Sequence, residues 1–143
     1  RALWAVGADP AQGQPEIAGT LARLPFLVVQ DRFLTETARL ADVVLPAADL
    51  TEIEGSLINL TGRWQALHPA LRPPGQARPH WQILTEAAQR LVEAKRRRAW
   101  AFASAADILA EIARLQPGWR GLNAKRLGDE GWQPPGREAV GQV

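Results

Sequence analysis

The stretch "PFLVVQDRFLTETARLADVVLP" (Pro25–Pro46) decides how this chain folds. Two short runs rich in branched apolar residues, Phe26–Gln30 and Asp42–Pro46, flank a more polar connection. A strand that is apolar at nearly every position, rather than at every second one, is covered on both faces, as in parallel sheets. Between the runs, "TETARLA" (Thr35–Ala41) fits a short helix with Glu36 near its positive N-terminal end. Pro46 stops the second run, because proline cannot donate to a strand ladder.

Working outward, "ALWAVG" (Ala2–Gly7) reads as a further buried strand closed by the turn Ala8–Pro10. From Pro15 a helix is expected, with Ile17, Leu21 and Leu24 at i, i+4 and i+7, until Pro25 ends it. Three apolar strands alternating with helices predict an α/β fold. The expected sheet is parallel and Rossmann-like (βαβαβ), with right-handed crossovers and helices on both faces. Ligands of such sheets sit beyond the carboxyl ends of the strands. Those ends are Gly7–Asp9, Gln30–Asp31 and Pro46 onward, so Gly7, Asp9, Gln30 and Asp31 are the candidate ligand contacts. "VGADP" (Val6–Pro10) lacks the G-x-G-x-x-G spacing of a dinucleotide cradle, and a glycine there also serves as a plain turn. Asp31 can accept from a ribose or base edge, or cap the segment that follows it.

Downstream, "TEIEGSLINLTGRWQALHP" (Thr51–Pro69) is expected to be a long ordered loop, too irregular for a helix and too long for a tight turn. Gly55 and Gly62 permit unusual backbone turns there, while Glu52, Asn59 and Arg63 tie the loop down. Glu52 and Glu54 as an acid–base pair lack an identifiable nucleophile or metal ligand beside them. A proline-rich link (72–80) leads to a helix expected from Trp81 to Arg97, supported by the i, i+4 pairs Glu86–Arg90 and Glu93–Arg97. A second helix is expected from Ser104, with Asp107 completing a capping box and Ile108, Leu109, Ile112 and Leu115 as its apolar stripe. Glycine, proline and charge then dominate. The expected organisation is an α/β segment over 1–71, the link over 72–80, a two-helix extension over 81–120 and an extended arm over 121–143.

Composition narrows the chemistry. At 143 residues, 46% hydrophobic and 22% charged, the chain is a globular domain with a real core. No apolar run approaches the roughly 20 residues a membrane span needs. With no cysteine, disulfides, thiol nucleophiles and thiolate ligation of zinc or iron–sulfur clusters are excluded. His68 and His80 are the only histidines, too few for the common zinc sets, so no metal site is expected. The basic run "KRRR" (Lys95–Arg98) can touch a phosphate backbone or offset a helix end, and no aromatic-interleaved basic stripe accompanies it. Six tryptophans without a tyrosine are read as anchors for core or interface. The chain has no methionine and opens inside a strand, so it is expected to be a fragment of a larger protein.

Taken together, "FLVVQDRFLTETARLADVVLPAADLTEIEGSLINLTGRWQ" (Phe26–Gln65) resembles the C-terminal, Rossmann-like segment of the molybdopterin oxidoreductase superfamily. The shared features are an aspartate-ended strand, a T-E-T-A helix, A-D-V-V-L-P and an E-x-E-G…N…G-R-x-Q stretch. "PPGQARPHWQIL" (Pro73–Leu84) and "SAADILAEIARLQPGWRGL" (Ser104–Leu122) resemble the continuation in the large iron–sulfur subunit of NADH-quinone oxidoreductase, respiratory complex I, and in related formate dehydrogenases. In molybdenum members, the resemblance implies contacts to molybdopterin guanine dinucleotide from the strand-end pair, here Gln30 and Asp31. It also implies contacts from a basic residue, here Ile53, and from a later aspartate, here His80. Isoleucine cannot pair with phosphate, and a neutral histidine is a poorer charged acceptor than aspartate.

Those departures lead to the expectation of a structural segment of the large iron–sulfur subunit of complex I, with no catalytic residue. Under that reading Gly7, Asp9, Gln30 and Asp31 are a vestigial site and the fragment itself binds no cofactor. Iron–sulfur clusters would lie elsewhere in the subunit and carry electrons from NADH to quinone. Its partners would be the N-terminal domains of the same polypeptide and other peripheral-arm subunits, at the cytoplasmic side of the inner membrane. No nucleic acid is expected. The alternative is the dinucleotide-binding part of a formate dehydrogenase-like molybdoenzyme, with the same four residues lining the site; a nucleic-acid-binding domain using Arg96–Arg98 is the second alternative.

Overall fold

In a computed structural model, residues 1–128 and 130–133 are described. The expected strands and helices of the first half all form, but only the middle strand is buried: Leu3 and Val6 in the first and Val43 and Val44 in the third are exposed, as edge positions of a three-stranded sheet. β1 (Leu3–Val6), β2 (Leu27–Asp31) and β3 (Val43–Pro46) make a parallel sheet in the order β1-β2-β3. Leu3 faces Leu27, and Val28 faces Val43, along the ladder. The crossovers are α1 (Pro15–Leu21) and α2 (Glu36–Arg39). Both pack against one face of β2, where Leu27 and Val29 join Ala11, Leu21 and Ala38 in a buried cluster. Strands stepping the same way through like-handed crossovers place consecutive helices on one side. The second face of β2 carries Val28 and Gln30, because successive side chains point oppositely. That face meets the start of α3 (His80–Leu91), so both faces of the sheet do receive helix, the second one from downstream.

The chain clusters into two compact units that interleave in sequence. One holds residues 1–49 and 72–91, the other residues 50–71 and the described residues from 92 onward. In the first, the proline-rich link returns to the sheet: Ala48 N–H donates to Arg78 O (2.9 Å) and Arg78 N–H to Pro46 O (3.3 Å), extending the ladder just past β3.

Beyond β3 the structure corrects several expectations. The stretch Thr51–Pro69 is not one long loop. It contains an antiparallel hairpin of β4 (Gly55–Ile58) and β5 (Trp64–Leu67), preceded by a 3-10 turn at Leu50–Glu52. Asn59 makes the turn. Its side-chain oxygen accepts from Thr61 N–H (3.0 Å), Thr61 Oγ1 (2.7 Å) and Arg63 N–H (3.0 Å). Gly62 sits in the left-handed region, at φ +77°, which glycine enters without steric cost. The expected helix to Arg97 also stops early: α3 ends at Leu91, and Ala94–Trp100 is a separate 3-10 helix. Glu93, beyond the helix, pairs with Lys95 (2.9 Å) rather than Arg97; inside the helix Glu86 pairs with Arg78 (2.5 Å), in the link before it, rather than with Arg90. The basic run consequently lies in its own 3-10 segment and does not cap α3.

α4 (Ala105–Leu115) begins as expected, with Ser104 and Asp107 closing a reciprocal capping box. The arm expected from Gly121 is instead folded through residue 133, apart from Asp129, which with residues 134–143 lies outside the described part. Leu122 and Leu127, flanking and closing α5 (Ala124–Leu127), are each only 2% exposed and pack with Trp64, Leu109 and Ala113. Burying each leucine favours the packed state by roughly 1.5–3 kcal/mol, enough to hold a short polar segment in place. Trp64 anchors this core: its N–H and C=O both pair with Trp132 at 2.7 Å, and its ring meets Trp119 edge-on at 5.0 Å.

Candidate functional site

The three strand tips lie on a common rim, since the ladders are parallel and in step: Val6 faces Gln30, and Asp31 faces Pro46. At its centre, Gly7 N–H donates to Gln30 O (2.8 Å). Gly7 has φ +58°, which turns the chain sharply at the end of β1 and leaves its backbone exposed.

Gln30 is 0% exposed. Its Nε2 donates to His80 O (3.1 Å) and lies 2.7 Å from His80 Nδ1. Its Oε1 is buried with no partner, a costly state of about 1–3 kcal/mol unless some donor meets it. Nothing in the sequence marks Gln30 as wholly buried, because a polar residue ending an apolar run is ordinarily at the surface.

Asp31 is drawn into its own turn, where Oδ1 accepts from Phe33 N–H (3.0 Å). This is the capping role. Its Oδ2 has no hydrogen bond to the described residues. Beside it, Arg32 forms an ion pair with Asp49 and stacks its guanidinium 4.4 Å from the Phe33 ring centre.

Asp9 departs from the expected role most clearly. Both carboxylate oxygens are engaged by the start of α2: Oδ1 accepts from Thr37 N–H (2.9 Å) and Thr37 Oγ1 (2.6 Å), and Oδ2 from Glu36 N–H (3.3 Å). These bonds, the Thr37 hydroxyl first, hold the Asp9 carboxyl below its ordinary pKa. Thr37, 0% exposed, also accepts Ala11 N–H (3.0 Å), while Glu36 accepts Gly13 N–H (3.1 Å) and Thr35 caps α2 through Ala38 N–H (3.1 Å). The "TET" triplet thus locks the loop after β1 onto α2. In the sequence alone it is a helix start; its long-range partners lie more than twenty residues upstream.

The rim therefore brings together Gly7, Gln30, Asp31 and His80, with Asp9 bracing them from behind. Ile53, Glu52 and Glu54 belong to the other unit. That unit has a cavity of about 150 Å³ between the hairpin and α4, lined by Ser56, His68, Leu109 and Leu127 among others. Among the described residues no cluster of three metal-ligating side chains occurs.

Residues 1–90 match the molybdopterin oxidoreductase family. The chain is 40% identical over 136 residues to the F420-dependent formate dehydrogenase 2 subunit alpha of Methanococcus maripaludis, covering 93% of this chain and 20% of that one. It is 39% identical over 132 residues to the F420-dependent formate dehydrogenase subunit alpha of Methanocaldococcus jannaschii, covering 90% and 19%. A probable oxidoreductase, YjgC of Bacillus subtilis, is 42% identical over 105 residues, covering 73% and 10%. The chain thus spans about a fifth or less of the length of these relatives. Acetylene hydratase from Pelobacter acetylenicus shares the fold, with a TM-score of 0.67 over 88% of this chain and 17% of that one at 21% identity. With well over half of its length matched to one family and its strand rim in the expected register, the chain belongs to the molybdopterin oxidoreductase family.

Proposed function

We propose that this chain is the C-terminal part of a formate dehydrogenase-like alpha subunit, and that its strand rim holds part of a molybdopterin guanine dinucleotide. Two of the relatives above are formate dehydrogenase alpha subunits, which favours this reading over the complex I segment expected first. The observation that carries it is Gln30, whose buried Oε1 waits for a donor at the carboxyl rim of a parallel sheet. The residues fit such a group. Gly7 offers exposed backbone in a left-handed turn, where a phosphate can come close, and Asp31 Oδ2 and Gln30 Oε1 are acceptors for ring or ribose donors. When bound, the cofactor would supply metal-centred electron transfer, and this chain's residues would bind and orient it. Asp9 and Thr37 would keep the rim rigid rather than touch the ligand.

The test is the full-length polypeptide. Stoichiometric molybdenum or tungsten and guanine nucleotide released on acid treatment are expected. Gln30→Leu should lower the nucleotide content while the protein stays folded. Purified protein with neither metal nor guanine nucleotide would overturn the reading. One observation favours the complex I alternative: Ile53 stands where the resemblance calls for a basic residue. A cofactor-free polypeptide that copurifies with NADH–quinone activity would support it.

A further inference from the structure

Resting on the function proposed above, we infer that His80 is a specificity-determining residue of the rim: it presents a neutral ring N–H, a hydrogen-bond donor, to an oxygen acceptor on the bound ligand. Proton positions decide the polarity. A main-chain carbonyl can only accept, so the Gln30 atom 3.1 Å from His80 O is the amide nitrogen. That same nitrogen lies 2.7 Å from His80 Nδ1, which must therefore be the acceptor of the pair. A ring that accepts at Nδ1 carries its proton at Nε2.

The geometry puts that proton at the rim. His80 is half-buried, and its Nε2 has no hydrogen bond to the described residues. A Cβ built on Gly7 would lie 3.6 Å from Nε2 and 3.7 Å from Cε1, so the absence of a side chain at Gly7 leaves that edge of the ring uncovered. By sequence, residue 80 is a weaker acceptor in the place of an aspartate. The Gln30 contact reverses its polarity: the position donates, and the group it recognises is a lone-pair oxygen. On a guanine dinucleotide that oxygen is either phosphoryl or a ring carbonyl.

The experiment uses cofactor-free full-length polypeptide, titrated calorimetrically with GDP and with guanosine. His80→Asp keeps an acceptor for Gln30 but replaces the outward donor with a carboxylate, and should weaken GDP by about 10-fold or more, the value of one charge-assisted hydrogen bond. His80→Gln, whose amide N–H reaches the place of Nε2 while Gln30 keeps the main-chain oxygen of residue 80, should stay within about 3-fold of wild type on the same scale. If the aspartate variant weakens GDP but not guanosine, the oxygen is phosphoryl; if it weakens both alike, it is the ring carbonyl. Wild type that binds GDP with the aspartate variant unchanged would overturn this inference and leave the rim reading standing. So would equal losses in both variants accompanied by a lower melting temperature. Wild type that binds neither probe would remove the rim reading and this inference together.

Discussion

Replacing Thr37 with valine is nearly isosteric, yet it should loosen the whole rim. The hydroxyl is fully buried and makes two bonds, donating to Asp9 Oδ1 (2.6 Å) and accepting from Ala11 N–H (3.0 Å). Valine supplies neither. Ala11 is 1% exposed, so its N–H would be stranded away from water, at a cost of about 2 kcal/mol. The Asp9 side adds to this, but that carboxylate is only partly buried and its share is screened. The assay is amide hydrogen exchange by mass spectrometry on the peptide covering the turn after β1. A loss of about 2 kcal/mol in local opening energy speeds exchange roughly 30-fold. Thr37→Ser keeps the hydroxyl and should stay within about 5-fold of wild type, losing only a methyl group. Unchanged exchange in the valine variant, or serine as damaging as valine, would refute the claim that this hydroxyl locks the loop.

Asp9 gives a pH prediction. Its folded pKa lies below the ordinary value of 3.8, so it contributes stability that is present above that value and is lost as pH falls through the lower folded pKa. Asp9→Asn should therefore reduce stability at neutral pH and flatten the acid end of a melting-temperature profile; an unchanged profile would sink the assignment. Ser104→Ala removes the capping box of α4 and should cost about 1 kcal/mol, read as faster exchange in the first turn of that helix. Gly131→Ala should be worse: the added Cβ would lie within van der Waals overlap of Trp64 O, at φ +76°, and no side-chain rotation relieves a backbone clash. Limited proteolysis should then release the segment beyond α5; a variant as resistant as wild type would count against the Trp64–Trp132 pairing as its anchor.

The sequence by itself determined the parallel sheet and where the carboxyl ends of its strands lie. Continuous apolar runs such as Leu27–Val29, bounded by Pro25 and Pro46, leave little choice of period, and local punctuation such as Ser104 with Asp107 fixes helix starts. The hairpin at Gly55–Leu67 was legible in principle, since two short runs flank a turn containing Asn59 and Gly62; its mixed polarity hid the alternation. Helical pairing rules overextended α3 past Leu91, because i, i+4 charges add only tenths of a kcal/mol and do not decide where a helix ends.

Only the tertiary structure decided the rest. It committed Asp9 to α2, buried Gln30 completely, set His80 against the Gln30 amide and drew Leu122 and Leu127 out of an expected loose arm. The physical reason is common to all four. Burial and hydrogen-bond partnership are properties of residues brought together from far apart in the chain, and residue 30 meets residue 80 only after the sheet has formed.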